Sequence, residues 1–124
     1  MPRVFFVSEI TYAKDNKGAI SLMFNDSFIP NDTAIVELTQ GGVSVPPLRW
    51  KMGEAEIVQY SENKIVINTK NIGNGFLVLT DSYYPAWHAT VDGDEAKIYR
   101  TDYNFRGIVV SAGEHKIEFY TTLL

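Results

Sequence analysis

The chain has 124 residues and a formal net charge of −4, with 45% hydrophobic and 21% charged residues, which is typical of one globular domain that buries a core. The balance of 11 Lys and Arg against 15 Asp and Glu leaves no basic stripe, so we expect no nucleic-acid partner. The absence of cysteine excludes disulfides, cysteine-based metal sites and thiol catalysis.

Short apolar runs separated by turn signals predict an all-β fold. The predicted strands cover residues 4–7, 34–38, 55–60, 64–68, 76–79, 87–91, 96–99, 107–110 and 116–120. One short helix is predicted near residues 16–24, and residues 41–53 are interpreted as a long surface loop because they contain Pro46-Pro47 and two glycine sites. Short strands at this spacing favour one antiparallel β-sandwich domain over residues 1–124, with a jelly-roll-like arrangement.

Three turns predict hairpins between neighbouring strands. The first is the polar turn of residues 61–63. The second is Asp92-Gly93, which joins residues 87–91 to 96–99, and the third is Ala112-Gly113, which joins residues 107–110 to 116–120. In the last strand Ile117 and Phe119 alternate with polar residues, which predicts one buried and one solvated face.

Motifs for catalysis or metal binding are not found in the sequence. His88 and His115 stand alone at spacings unlike those of metal ligands, and the common hydrolase, zinc-protease and nucleotide-binding motifs are missing. Asp92, Asp94 and Glu95 lie close together, but the Asp-Gly pair is explained by a turn, so we do not interpret these acids as a calcium site. We therefore expect no catalytic residue, no metal and no cofactor, although a pair of carboxylates facing each other in space stays open.

One block is dense in aromatic and turn residues and resembles a known family. It contains the run from Asp81 to Trp87 (Asp-Ser-Tyr-Tyr-Pro-Ala-Trp), then Val91-Asp92-Gly93, Asn104-Phe105-Arg106, and Ala112-Gly113 before the last strand. This pattern resembles the C-terminal extracytoplasmic domain of YfhO-type bacterial membrane proteins, strongly over residues 76–120 and more loosely before them. Ala86 stands where the family has glycine, and Ser111 where it has proline.

The resemblance implies a polytopic membrane protein whose membrane portion is similar to glycosyltransferases that use lipid-linked sugars and carries the catalytic acid. This chain is then expected to be a non-catalytic accessory domain on the extracytoplasmic side of the cell membrane. Its expected partners are the membrane portion of its own full-length protein and a glycan or lipid-linked sugar. We also expect apolar segments of about 20 residues before Met1 and after Leu124, with both ends leaving one face of the domain.

The aromatic block has two interpretations. In the first it binds carbohydrate, because sugar rings stack on aromatic rings while planar polar groups bind their hydroxyls. The predicted carbohydrate-binding residues are Tyr83, Tyr84, Trp87, Tyr103, Arg106 and Asp81, with Asn104 as a further polar group and Trp50 as a further wall. In the second the block is a packed corner in which Arg106 pairs with Asp81 or stacks on a ring. An accessory glycan-contacting domain, a structural or protein-interaction module and an independent enzyme therefore stay open.

Overall fold

The computed structural model describes residues 3–13, 17–19, 33–37, 48–82, 86–102 and 105–121. These residues form eleven strands: β1 (Val4–Val7), β2 (Glu9–Ala13), β3 (Thr33–Glu37), β4 (Met52–Ser61), β5 (Lys64–Ile72), β6 (Gly75–Ser82), β7 (Trp87–Val91), β8 (Asp94–Ala96), β9 (Tyr99–Thr101), β10 (Phe105–Val110) and β11 (Gly113–Thr121). Residues 17–19 are helical, within the range where a helix was predicted, and the rest of that range lies outside the described residues.

The strands form two packed sheets, which confirms the predicted antiparallel β-sandwich. A six-stranded sheet has the order β1-β6-β10-β9-β3-β2, and a five-stranded sheet has the order β4-β5-β11-β7-β8. β2 and β3 pair in parallel, and residues 14–32 supply the long connection that a parallel pair requires. The jelly-roll arrangement stays a prediction.

The strand β6 is buried on both of its faces. Leu77 and Leu79 belong to the core between the two sheets, where Ile108 and Phe119 also lie. Phe76 and Val78 point the other way, into a second apolar cluster on the opposite side of the six-stranded sheet. A strand buried on both faces reads as a continuous apolar run, and this is the pattern that predicted a central strand here.

The predicted hairpin around Ala112-Gly113 is wrong, although both of its strands exist. β10 lies in the six-stranded sheet and β11 in the five-stranded sheet, so the chain crosses between the sheets at this point. The Asn71 side chain stabilises the crossing by donating to the carbonyl oxygen of Ser111 at 3.1 Å, and the Ala112 N–H donates to Asn74 Oδ1 at 3.3 Å. These bonds satisfy backbone groups that no strand partner reaches.

The predicted strand at residues 96–99 is divided between the sheets. β8 ends at Ala96 and pairs with β7 around Asp92-Gly93, as predicted, whereas Tyr99 begins β9 in the other sheet. The reason is burial, because the Tyr99 ring packs 5.9 Å from the Phe76 ring in the second cluster. β2 was not predicted, since only Ile10 and Ala13 in it are shielded from solvent. The expected loop at residues 41–53 overlaps the first residues of β4, and residues 41–47 lie outside the described part.

Candidate functional site

An open cleft of about 730 Å³ lies at one end of the sandwich. Its lining residues come from the last residues of β4 and β6 and from the first residues of β5, β7 and β10. Antiparallel pairing brings these strand ends together. The lining residues are Tyr60, Ser61, Glu62, Ile65, Thr80, Asp81, Trp87 and Arg106. Three of the six predicted carbohydrate-binding residues, Asp81, Trp87 and Arg106, therefore border one cleft.

A β-bulge places two of the cleft residues. Phe105 pairs with Ser82, but the next residue, Arg106, pairs with Leu79, so Thr80 and Asp81 have no opposite residue on β10. Bulges redirect side chains in this way and are common beside functional sites. The bulge leaves Thr80 and Asp81 at the wall of the cleft, above the core residues of β6.

Trp87 and Arg106 form a stacked pair inside the cleft. The Arg106 Cζ lies 4.1 Å from the centroid of the Trp87 ring and 5.8 Å from that of Phe119, and Arg106 is only 3% exposed. Trp87 is half-buried and packs on the core between the sheets. The packed-corner interpretation expected this stacking, and the pair leaves part of the Trp87 ring accessible from the cleft.

Asp81 is held by two residues that sequence reasoning did not assign to the site. Arg3 Nη1 donates to Asp81 Oδ1 at 2.9 Å, and the Tyr60 hydroxyl donates to Asp81 Oδ2 at 2.7 Å. The hydrogen bond to the Asp81 carboxylate is the main reason that the pKa of Tyr60 is raised above its usual value. Arg3 also lies over the Tyr60 ring, with its Cζ 4.6 Å from the centroid. Arg3, Tyr60 and Asp81 come from distant parts of the chain, so no local pattern marks them as neighbours.

Tyr83, Tyr84, Tyr103 and Asn104 lie outside the described residues. Trp50 is described and does not line the cleft. Its ring packs 4.7 Å from the Phe6 ring and covers Gly53 and Gly75, where a Cβ would come within 3 Å of it. Gly75 begins β6 and Asp81 is near its end, so Trp50 lies toward the other end of the sandwich.

A second polar group joins two turns at that other end. His115 Nδ1 lies 2.6 Å from Asp92 Oδ2, and His115 Nε2 lies 3.3 Å from the Ser111 hydroxyl and 3.2 Å from the Ala112 carbonyl oxygen. The hydrogen bond to Asp92 raises the pKa of His115, and the Lys116 N–H, which donates to Asp92 Oδ1 at 2.8 Å, is the main cause of the lowered pKa of Asp92.

The order of these groups, serine, histidine and aspartate, is that of a hydrolase triad, but the carbonyl of Ala112 favours another role. A general base needs a free lone pair on Nε2, whereas a carbonyl oxygen at 3.2 Å favours a proton there. The charged imidazole then donates from both nitrogens, and the group is best described as a clamp between the β7–β8 turn and the crossing at Ser111 and Ala112.

No group of three or more metal-ligating side chains occurs among the residues that the structure describes. Within the same part of the chain, no helix has the length and apolar character needed to span a bilayer.

The comparisons with known proteins give one match. The model of a family described as bacterial membrane protein YfhO matches residues 3–122. Searches of the curated proteins and of the solved structures gave no match. The matched range includes both sheets and the whole described lining of the cleft.

Proposed function

We propose, from the premise that this chain belongs to the YfhO family of bacterial membrane proteins, that it is a non-catalytic accessory domain that contacts a glycan or lipid-linked sugar. In this proposal it lies on the extracytoplasmic side of the membrane. Its partner is the membrane portion of the full-length protein, which carries the glycosyltransferase-like chemistry.

The cleft is the observation that carries the proposal. Tyr60 lines it and is 53% exposed, so its ring is accessible to a ligand. The half-buried Trp87 ring, the Asp81 carboxylate and the Arg106 guanidinium border the same space. Accessible rings next to planar donors and acceptors are the features with which proteins hold the apolar faces and the hydroxyls of sugars.

Glycan-array screening followed by titration calorimetry tests this function. Glu62 is exposed and lines the cleft, so Glu62→Gln removes an acceptor charge without disturbing the core. We expect binding to be weaker by about tenfold to a hundredfold, because a hydrogen bond to a charged group contributes about 1.5–3 kcal/mol. Glu54→Gln is the matched control, since Glu54 is an exposed residue of β4, the strand before the Glu62 turn, and it lies outside the cleft. A chain that binds no glycan on the array contradicts the proposal.

A protein-interaction module is the second candidate, and an exposed apolar pair favours it. Met52 and Ile72 are cross-strand partners that are 61% and 55% exposed, and they lie at the end of β4 away from the cleft. Exposed apolar patches of monomeric proteins often mark contact sites. If this is the function, Met52→Ser together with Ile72→Ser weakens cross-linking to the membrane portion of the full-length protein, while Glu62→Gln does not.

A further inference from the structure

Two arginine–aromatic pairs border the cleft at separate places. Arg3 lies over the Tyr60 ring with its Cζ 4.6 Å from the centroid, and Arg106 lies over the Trp87 ring at 4.1 Å. Each pair fixes an aromatic ring against a guanidinium group. Arg106 lines the cleft but is buried, and Arg3 lies beside the lining, where it contacts Tyr60. The aromatic rings are therefore what the two places share.

The rings of the two pairs are carried by strands that are not neighbours in the five-stranded sheet. Tyr60 is on β4 and Trp87 is on β7, and β5 and β11 lie between these strands in the five-stranded sheet. Three inter-strand spacings correspond to about 14 Å between the backbones. The register places Tyr60 opposite Ile65, which is an apolar residue on the floor between the two pairs. A single pyranose ring does not span this distance.

The charges at the cleft are balanced. Glu62, Asp81 and Arg106 line the cleft, and Arg3 lies beside the lining, paired with Asp81 at 2.9 Å. These two carboxylates and two guanidinium groups sum to zero charge. They therefore give a charged ligand of either sign no net attraction to the cleft.

We propose that the cleft takes an uncharged oligosaccharide of at least two pyranose units, which lies along the floor from the Arg3–Tyr60 pair to the Arg106–Trp87 pair. This inference rests on the proposed glycan contact. It makes Tyr60 the wall of one subsite and Trp87 the wall of the other.

Calorimetry with sugars of increasing length tests the inference. The probes are the mono- to tetrasaccharides of glucose and of mannose, together with galacturonate oligomers of the same lengths as charged counterparts. We expect at least a fivefold gain in affinity from the monosaccharide to the di- or trisaccharide, and weaker binding of the galacturonates. Tyr60→Ala abolishes the gain with length, whereas Tyr60→Phe keeps it because the ring is retained. Val58→Ala is the control, since Val58 is an exposed residue of β4 that does not line the cleft.

The possible outcomes separate this inference from the proposed function. If monosaccharides bind as tightly as trisaccharides, or if Tyr60→Ala leaves the gain with length intact, the two-subsite inference is wrong while glycan contact stands. If galacturonates bind as well as neutral sugars, the inference that the ligand is uncharged is wrong. If none of the neutral or charged sugars binds, both the inference and the proposed function fail.

Discussion

At the scale of single residues, Asp102 shows how a buried carboxyl fixes the end of a strand. Its backbone has a φ of 47°, in the left-handed region that aspartate tolerates better than most residues. Oδ1 accepts the Ile35 N–H at 2.8 Å, and the Asp102 N–H donates to the Ile35 carbonyl oxygen at 2.7 Å. These two bonds tie β3 to the end of β9. Burial raises the pKa of Asp102 to about 6, and the bond from Ile35 offsets only part of this effect.

The raised pKa predicts that Asp102→Asn stabilises the protein at neutral pH. The folded pKa of about 6 lies above the ordinary value of 3.8, so the folded state binds the proton more tightly, and stability falls as pH rises through this window. Asparagine keeps a neutral acceptor and tolerates the left-handed backbone. We expect the variant to exceed the wild type by about 2–3 kcal/mol at pH 8 and to equal it near pH 3.5, measured by urea denaturation. A variant less stable than the wild type at pH 8 contradicts this assignment.

The stability contributed by His115 also falls as pH rises, but here the charged form of the side chain is the stabilised one. Its pKa is raised by the bond to Asp92, so the clamp contributes its full stability below the usual pKa of 6.5 and loses it as pH rises through the folded value. The pKa of Asp92 is lowered, so its contribution is lost only as pH falls below the ordinary value of 3.8. We expect the melting temperatures of wild type and His115→Asn to differ most between the ordinary pKa values of Asp92 and His115, 3.8 and 6.5, and to converge as pH rises through the raised pKa of His115.

The matched control for the clamp is His88→Asn, because His88 is the other histidine of the chain and stacks on Tyr120 outside the clamp. The pH dependence of this variant's melting temperature should follow that of the wild type. An equal loss of melting temperature at all pH values in His115→Asn shows that the imidazole acts by packing alone.

At the scale of elements, the sequence predicted strands better than it predicted their partners. The strands at residues 107–110 and 116–120 exist, but they belong to different sheets. Apolar alternation and turn residues are local signals, whereas the choice of sheet depends on distant groups such as the Asn71 side chain that stabilises the crossing. The same limit applies to the candidate site. Trp87 was found from its local motif, but Tyr60 and Arg3 join the cleft only through long-range pairing.

β10 packs so closely on its neighbours at Gly107 that no side chain fits there. A Cβ at this position would overlap the Phe76 ring and the Oγ1 of Thr101, both of which are buried. We expect Gly107→Ala to lower the free energy of unfolding by about 1–3 kcal/mol, because a packed core must shift to admit the methyl group. Gly93→Asn is the control for backbone strain without a clash, since a Cβ at Gly93 meets no atom within 4 Å and its φ of 89° strains asparagine less than most residues. A loss in Gly107→Ala no larger than this strain alone contradicts the packing argument.

At the scale of the whole molecule, the first and last described residues lie at the cleft end of the sandwich. Arg3 contacts Tyr60 and Asp81, which both line the cleft. Thr121 pairs with Trp87, and its N–H donates to the Asn63 carbonyl oxygen at 3.1 Å. Arg3 and Thr121 therefore lie at the same end of the sandwich, and the exit of both chain ends from one face stays a prediction. Under the proposed function, the cleft then faces the membrane portion and the bilayer surface.

The orientation of the domain can be measured in the full-length protein reconstituted into vesicles. The chain contains no cysteine, so a single introduced cysteine labels one defined position in the domain. Glu62 lies at the cleft, whereas Glu114 lies near the start of β11, seven residues from Thr121, and both are exposed. At about 3.4 Å per residue, this distance along the strand exceeds 20 Å.

A fluorophore at Glu62→Cys should be quenched by lipids that carry a nitroxide in the headgroup, and one at Glu114→Cys should not. The headgroup quencher acts only at short range, so the separation along β11 is sufficient to distinguish the two positions. Stronger quenching at Glu114→Cys would show that the cleft faces away from the bilayer. A membrane-bound sugar donor would then be out of its reach, and a soluble oligosaccharide would be the ligand that fits the orientation.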